Sequence, residues 1–225
     1  MTALLRGNEY SISDLPAGPV KSFETNSLRS NNPVEDSHSE AMVSNGEGYL
    51  FGIYDGHGGA ACGQVTAKRL QNYVAAGLLN QADLEAHLKC VAEAVRSNNS
   101  SPTPELLPCI QTLNEQFELV QDLRDIYMKS YHEYLSKLAQ NFHHSSDPPN
   151  ENIERVLTEA FNSLDADMSR EALPCPVNGV NMKTLTVAMS GCVAVVAHID
   201  GPHLHVAYSG HVYIHTYIKL LKTNL

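Results

Sequence analysis

The sequence predicts an α+β fold, and three observations carry that prediction. Two β-rich stretches, 39–45 and 48–54, flank an Asn45-Gly46 turn signal. Apolar residues at helical spacing then fill most of the chain from Ala60 to Leu164. Rows of β-branched residues return after Lys183. Strands, then helices, then strands, with no regular alternation, point to segregated sheets with helices packed on their outer faces.

The elements follow in chain order. Residues 1–33 are polar, contain Pro16, Gly18 and Pro33, and read as mostly loop. The stretches 39–45 and 48–54 form a hairpin, because Asn and Gly both tolerate the positive φ of a tight turn. From Ala60 the period changes. Ala61, Val65, Leu70, Tyr73, Val74 and Leu78 mark one helix, and Leu84, Leu88, Val91 and Val95 a second. The segment "SNNSSPTPELLP" breaks the pattern. Leu113, Phe117, Val120, Tyr127, Tyr131 and Leu138 then outline a long third helix. Asn150 is placed to cap a fourth, with Ile153, Val156, Leu157, Ala160 and Leu164 inward. "TLTVAMSGCVAVVAHID" and "HLHVAYSG" read as strands joined by a turn at Asp200-Gly201.

With 225 residues, 43% of them hydrophobic, the chain can bury a real core. Its net charge is −10 and no Lys/Arg run stands out, which disfavours nucleic acid as a partner. Five cysteines form no CxxC pair and are odd in number, so a reducing compartment fits better than a disulfide scaffold. The longest apolar run, "CVAVVA", is too short for a membrane span. The first residues resemble neither a secretory signal nor an Arg-rich transit peptide.

The stretch "YLFGIYDGHGGAACG", Tyr49 to Gly63, carries the chemistry. "GHGGAA" satisfies G-x-G-x-x-A between a strand and a helix. However, Asp55 would crowd a pyrophosphate, and helix stands where the second strand and its acidic residue belong. A phosphate loop also fails, because Gln64 and Val65 replace the Lys and Ser/Thr it needs. Two readings stay open. One is a solvated Asp-Gly turn. The other is a site for a hard divalent cation, since an antiparallel hairpin would return Glu35 and Asp36 to the sheet end that carries Asp55. His203, His205, His211 and His215 form a weaker zinc candidate, outweighed by a reading of the first two as ordinary strand residues. Cys62 and Ser190 read as packing or turn residues.

"GYLFGIYDGHGG" resembles the signature of the metal-dependent protein serine/threonine phosphatases, the protein phosphatase 2C type. "NNPVEDSHSEAM", "LTEAFNSLDADM" and "MSGCVAVVAHIDGPHLHVAYSG" resemble further motifs of that family, in its order. "LLRGNEYS", "NNPVED" and "AHIDGPHLHVA" are similar to the pyruvate dehydrogenase phosphatase branch. The resemblance implies a four-layer α-β-β-α sandwich. It implies an N-terminal extension over 1–33, a partial phosphatase domain over 34–210 with a helical insertion at 84–142, and an unrelated tail over 211–225. It also implies two Mg²⁺ or Mn²⁺ ions. Asp55 would bridge them, the Gly56 carbonyl would be a further ligand, and Glu35 and Asp36 would hold metal-bound waters. His57 would be general acid to the leaving seryl oxygen. The implied activity is hydrolysis of phosphoserine or phosphothreonine by a metal-activated water. The implied partners are a phosphoprotein substrate such as the pyruvate dehydrogenase complex and a regulatory subunit. The implied location is the mitochondrial matrix, with the cytoplasm as alternative.

Three positions depart from the family pattern. Asn31 stands where many members carry a phosphate-gripping arginine, and it can offer only a neutral hydrogen bond. Val193 replaces a threonine. After Gly210 the chain reads "HVYIHTYIKLLKTNL" instead of the family's Gly-Asp-Ser-Arg, so the remaining strands and at least two metal carboxylates have no counterpart. The sandwich is therefore expected to be incomplete, and an alternative reading is a catalytically inactive binding or regulatory fragment.

Overall fold

The computed structural model describes residues 9–15, 18, 20–28, 32–43, 48–97, 110–112, 123–144 and 152–210. Among the described residues, seven strands form two antiparallel sheets. Strands β1 (Tyr10–Ser13) and β2 (Ser22–Thr25) pair with each other. Strands β3 (Ser37–Val43), β4 (Gly48–His57), β5 (Ile110–Thr112), β6 (Gly191–Asp200) and β7 (His203–Tyr208) form a sheet in the order β5-β3-β4-β6-β7. The helices are α1 (Ala61–Leu78), α2 (Gln81–Ser97), α3 (Arg124–His144), α4 (Ile153–Glu171) and α5 (Met182–Met189). The fold is α+β, with antiparallel sheets and helices as the element order predicts.

The hairpin expected around Asn45-Gly46 is present as β3 and β4, in register from Val43↔Gly48 to Ser37↔Tyr54. The turn itself lies outside the described residues. Period-2 patterning then divides β4. Leu50, Gly52, Tyr54 and Gly56 face the helices and are buried, while Ile53, Asp55 and His57 face away and are exposed. On the helix side, Leu50 and Tyr54 join Ala41, Val43, Ala194 and Val196 against Leu70 and Val74 of α1 and Leu157 and Ala160 of α4. Each fully buried leucine there contributes about 2 kcal/mol of transfer free energy. Gly52 is required by its neighbour, because a Cβ there would run into the Tyr54 hydroxyl. The opposite face of the sheet stays apolar and open at Ile53, Leu204, Val206 and Tyr208. The small β1–β2 sheet touches this face where Phe23 meets Phe51 edge-on, with centroids 5.4 Å apart.

Several elements differ from or add to the sequence reading. The N-terminal segment, read as mostly loop, also holds the strands β1 and β2, where Tyr10 and Ile12 alternate with serines and lie opposite Thr25 and Phe23. The third helix is described over Arg124–His144, and Leu113, Phe117 and Val120 lie outside the described residues; before them, Ile110–Thr112 pairs with Ala41–Val43 as an edge strand that the sequence reading lacks. The fourth helix is capped by Asn152, whose side chain accepts from the Arg155 N–H. Finally, "TLTVAM" is helix α5, not strand. The Asn181 side chain caps it by accepting from the Lys183 N–H. Thr184 and Thr186 bond carbonyls of Asn181 and Met182, and Thr184 and Val187 form the buried stripe. Capping and packing override the β-preference of these residues.

Candidate metal and phosphate site

Asp55 and His57 occupy the same face of β4, two residues apart, at the end where the strand runs into the glycine loop. The register brings β3 back beside them. Ser37 opposes Tyr54, so Asp36 arrives next to Asp55. The two carboxyls are near enough to act on each other. The Asp36 carboxyl is raised above its ordinary value, first by partial loss of hydration, then by the Asp55 charge and hydrogen bond, and last by Glu35. Two carboxylates this close repel unless a proton or a cation sits between them.

The glycines position this acid pair. A Cβ at Gly56 would overlap the Glu35 carbonyl oxygen, and one at Gly63 would come within 3.1 Å of the same atom. Both glycines let the chain entering β3 press against β4 and the first turn of α1. Gly58 and Gly59 have φ of +70° and +122°, a backbone that L side chains rarely adopt. Their turn aims the Gly59 N–H at Glu35 Oε1, 2.7 Å away. Glu35 is thus tied to the glycine loop, and that N–H is already satisfied.

His57 is seated by a different glycine. Its imidazole lies against Gly191 on β6, the register partner of His57, and a side chain at 191 would collide with Nε2. The next residue back, Ser190, holds the other side of the loop. Its Oγ accepts the Cys62 N–H at 3.1 Å, satisfying a donor of the first turn of α1 that has no helical partner. The same hydroxyl bonds the carbonyls of Thr186 and Val187 at the end of α5. The reading of Ser190 as a turn residue agrees with this bonding.

A cluster around Cys62 was not anticipated from the sequence. Cys62 Sγ lies 3.6 Å from Cys192 Sγ on β6, and the Thr66 hydroxyl reaches both sulfurs, at 3.9 and 3.4 Å. The pair is separated by 130 residues, so no local signal could show it. The hydrogen bond between the thiols pushes the Cys62 pKa up and draws that of Cys192 down.

The donor set suits a hard divalent cation in kind, since Asp36 and Asp55 offer carboxylate oxygens in contact. In number it is short. Among the described residues no group of three or more His, Cys, Asp or Glu side chains converges as a metal cluster. Asn31, His211 and His215 lie outside the described residues. His203 and His205 are neighbours on β7 with ring centroids 6.2 Å apart, and they belong to no such cluster. No helix among the described residues is long and apolar enough to cross a membrane.

No protein-family model matches the chain. Among curated proteins it is similar to the human mitochondrial pyruvate dehydrogenase (acetyl-transferring) phosphatase 2, with 34% identity over 214 residues. That alignment covers 92% of this chain and 38% of the relative. The human and bovine mitochondrial pyruvate dehydrogenase (acetyl-transferring) phosphatases 1 are 34% identical over 220 residues, covering 93% of this chain and 38% of theirs. The chain thus spans well under half the length of the curated relatives it matches. Identity sustained over nearly the whole chain relates it by descent to these mitochondrial phosphatases.

Proposed function

We propose that this chain carries metal-ligating and acid residues of the active site of a metal-dependent protein serine/threonine phosphatase. The observation that supports this most is the Asp36–Asp55 contact at the end of the β3–β4 hairpin, with His57 on the same face. In this reading Asp55 and Asp36 are cation ligands, with the Gly56 carbonyl and, through water, Glu35 beside them. Divalent cations bound there would neutralise phosphoryl oxygens and lower the pKa of an attacking water.

The chain's own residues do the rest. The backbone of Asp55 is held in the ladder with β6, opposite Val193, so its carboxylate starts from a fixed strand position when charge arrives. The Gly59 N–H holds Glu35 in place. His57, exposed on the same strand face and braced by Gly191, is placed to give a proton to the departing seryl oxygen. No serine or cysteine nucleophile is required. Asn31 is the proposed neutral contact to the phosphate.

The finer assignment follows the relatives' names. We place the chain in the pyruvate dehydrogenase phosphatase branch, with a mitochondrial phosphoprotein as substrate, a regulatory subunit as further partner, and Mg²⁺ or Mn²⁺ as cofactor. In this reading residues 34–210 are the partial phosphatase domain, of the four-layer α-β-β-α sandwich type, and 84–142 an insertion within it. The test is release of phosphate from a phosphoserine-containing protein with and without Mn²⁺. The reading expects Mn²⁺-dependent release that Asp55→Asn abolishes. Release that ignores both the metal and the substitution would overturn it. Metal binding without release would favour the second reading, a binding or regulatory fragment.

A further inference from the structure

We propose that Cys62 and Cys192 are a reversible disulfide-forming pair that links the first turn of α1 to β6. The two sulfurs are already in contact at 3.6 Å, and closing to the bonded distance of about 2.05 Å needs a movement of roughly 1.5 Å. The neighbourhood favours that bond. The Thr66 hydroxyl contacts both sulfurs and is itself 3.8 Å from Met168 Sδ, so the cluster is lined by soft, polarisable atoms. Cys62 is buried and Cys192 half-exposed, which assigns the roles. Cys192 meets the oxidant, and Cys62 resolves it.

The oxidant is a hydroperoxide. The Cys192 thiolate attacks one peroxide oxygen, the O–O bond breaks, and a sulfenic acid and hydroxide result. The Cys62 thiolate then attacks the sulfenic sulfur, the S–S bond forms, and a second hydroxide leaves. Two thiols and one hydrogen peroxide become one disulfide and two waters. A dithiol reverses the change by thiol–disulfide exchange.

The position gives the bond a consequence. Cys192 is the register partner of Gly56, and Cys62 follows the Gly58-Gly59 turn. Drawing the sulfurs together pulls the start of α1 toward β6 across the loop that seats Glu35. The pairing does not depend on the phosphatase reading.

The experiment treats the reduced, folded chain with one equivalent of hydrogen peroxide, blocks remaining thiols with an alkylating agent, and maps the peptides. The expected result is a species lighter by two hydrogens with a single cross-linked peptide pair holding Cys62 and Cys192, lost on dithiothreitol treatment. The melting temperature should rise on oxidation and return on reduction. Cys62→Ser and Cys192→Ser should each eliminate that cross-link. Recovery of Cys62 and Cys192 as free thiols, while the exposed Cys90 and Cys175 are oxidised, would overturn the proposal. The map of the unsubstituted chain decides the matter even if a serine variant fails to fold.

Discussion

The imidazole of His57 rests against the bare Cα of Gly191, on the neighbouring strand and in register with it. A glycine at the first position of β6 thereby fixes the orientation of an exposed side chain. The space for Nε2 exists only because residue 191 has no Cβ.

Gly191→Ala should therefore act through His57. The added methyl would push the ring off its seat without disturbing the helix-facing core. Phosphate release is expected to fall by about ten- to a hundredfold, part of the roughly 10²–10⁴-fold that a positioned general acid contributes. His57→Asn should show the same loss, and the double variant little more. Steady-state rates and thermal melts of the three variants check this, with unchanged rates in Gly191→Ala counting against it.

Gly56→Ala should disturb the acid pair itself. The new methyl would overlap the Glu35 carbonyl, forcing β3 and β4 apart where Asp36 meets Asp55. A cost of about 1–3 kcal/mol in stability is expected from such overpacking. Chemical denaturation measures the cost, and Mn²⁺ titration measures the accompanying loss of affinity.

Helices α1 and α4 are joined by a buried ion pair. Arg69 donates to both oxygens of Glu171, at 2.8 Å each, with the two side chains only 5% and 4% exposed. Its guanidinium also lies 4.0 Å from the centre of the Tyr127 ring. Glu171→Ala should cost about 3–5 kcal/mol, because it strands a buried charge. Arg69→Met combined with Glu171→Leu should recover much of that, since an apolar pair of similar volume leaves nothing unpaired. Urea unfolding of the single and double variants distinguishes these outcomes.

Stability should also fall in mild acid through His87. Its Nε2 is 3.1 Å from the Tyr131 hydroxyl, which itself donates to the Asn72 carbonyl. That leaves Nε2 as the donor and Nδ1 as the buried nitrogen without a partner. Burial draws the His87 pKa down to about 4, against an ordinary value near 6.5. Between those values the unfolded chain binds the proton and the folded chain does not. Stability is thus full above about pH 6.5 and declines as pH falls toward about 4, by about 2–3 kcal/mol from this group. His38 works in the opposite sense. Its bond to Glu40, 2.7 Å long, raises its pKa, so its contribution is present below about 6.5 and fades as pH rises through the raised value. His87→Gln should flatten the acid limb of a melting-temperature profile.

Local pattern explains which parts of this molecule were legible in the sequence. The β3–β4 hairpin, α1 and the inward face of α4 each follow from spacing within a short window. So does the β6–β7 turn. The approach of Asp36 to Asp55 follows from hairpin register alone. Helix α5 was misread because Thr184, Thr186 and Val187 favour strands, and the decisive cap and packing partners lie outside the run. Strand β5 was missed because its three residues gain order only from pairing with β3. The Arg69–Glu171 and Cys62–Cys192 contacts join residues more than a hundred positions apart, and composition carries no trace of them.

The central claim is that Asp36 and Asp55 together hold a divalent cation, and calorimetric titration of the chain with Mn²⁺ tests it most directly. The account predicts saturable binding that weakens at least about tenfold in Asp55→Asn and in Asp36→Asn, with folding intact by circular dichroism. Binding that is absent from the parent chain, or unaffected by either substitution, would contradict it.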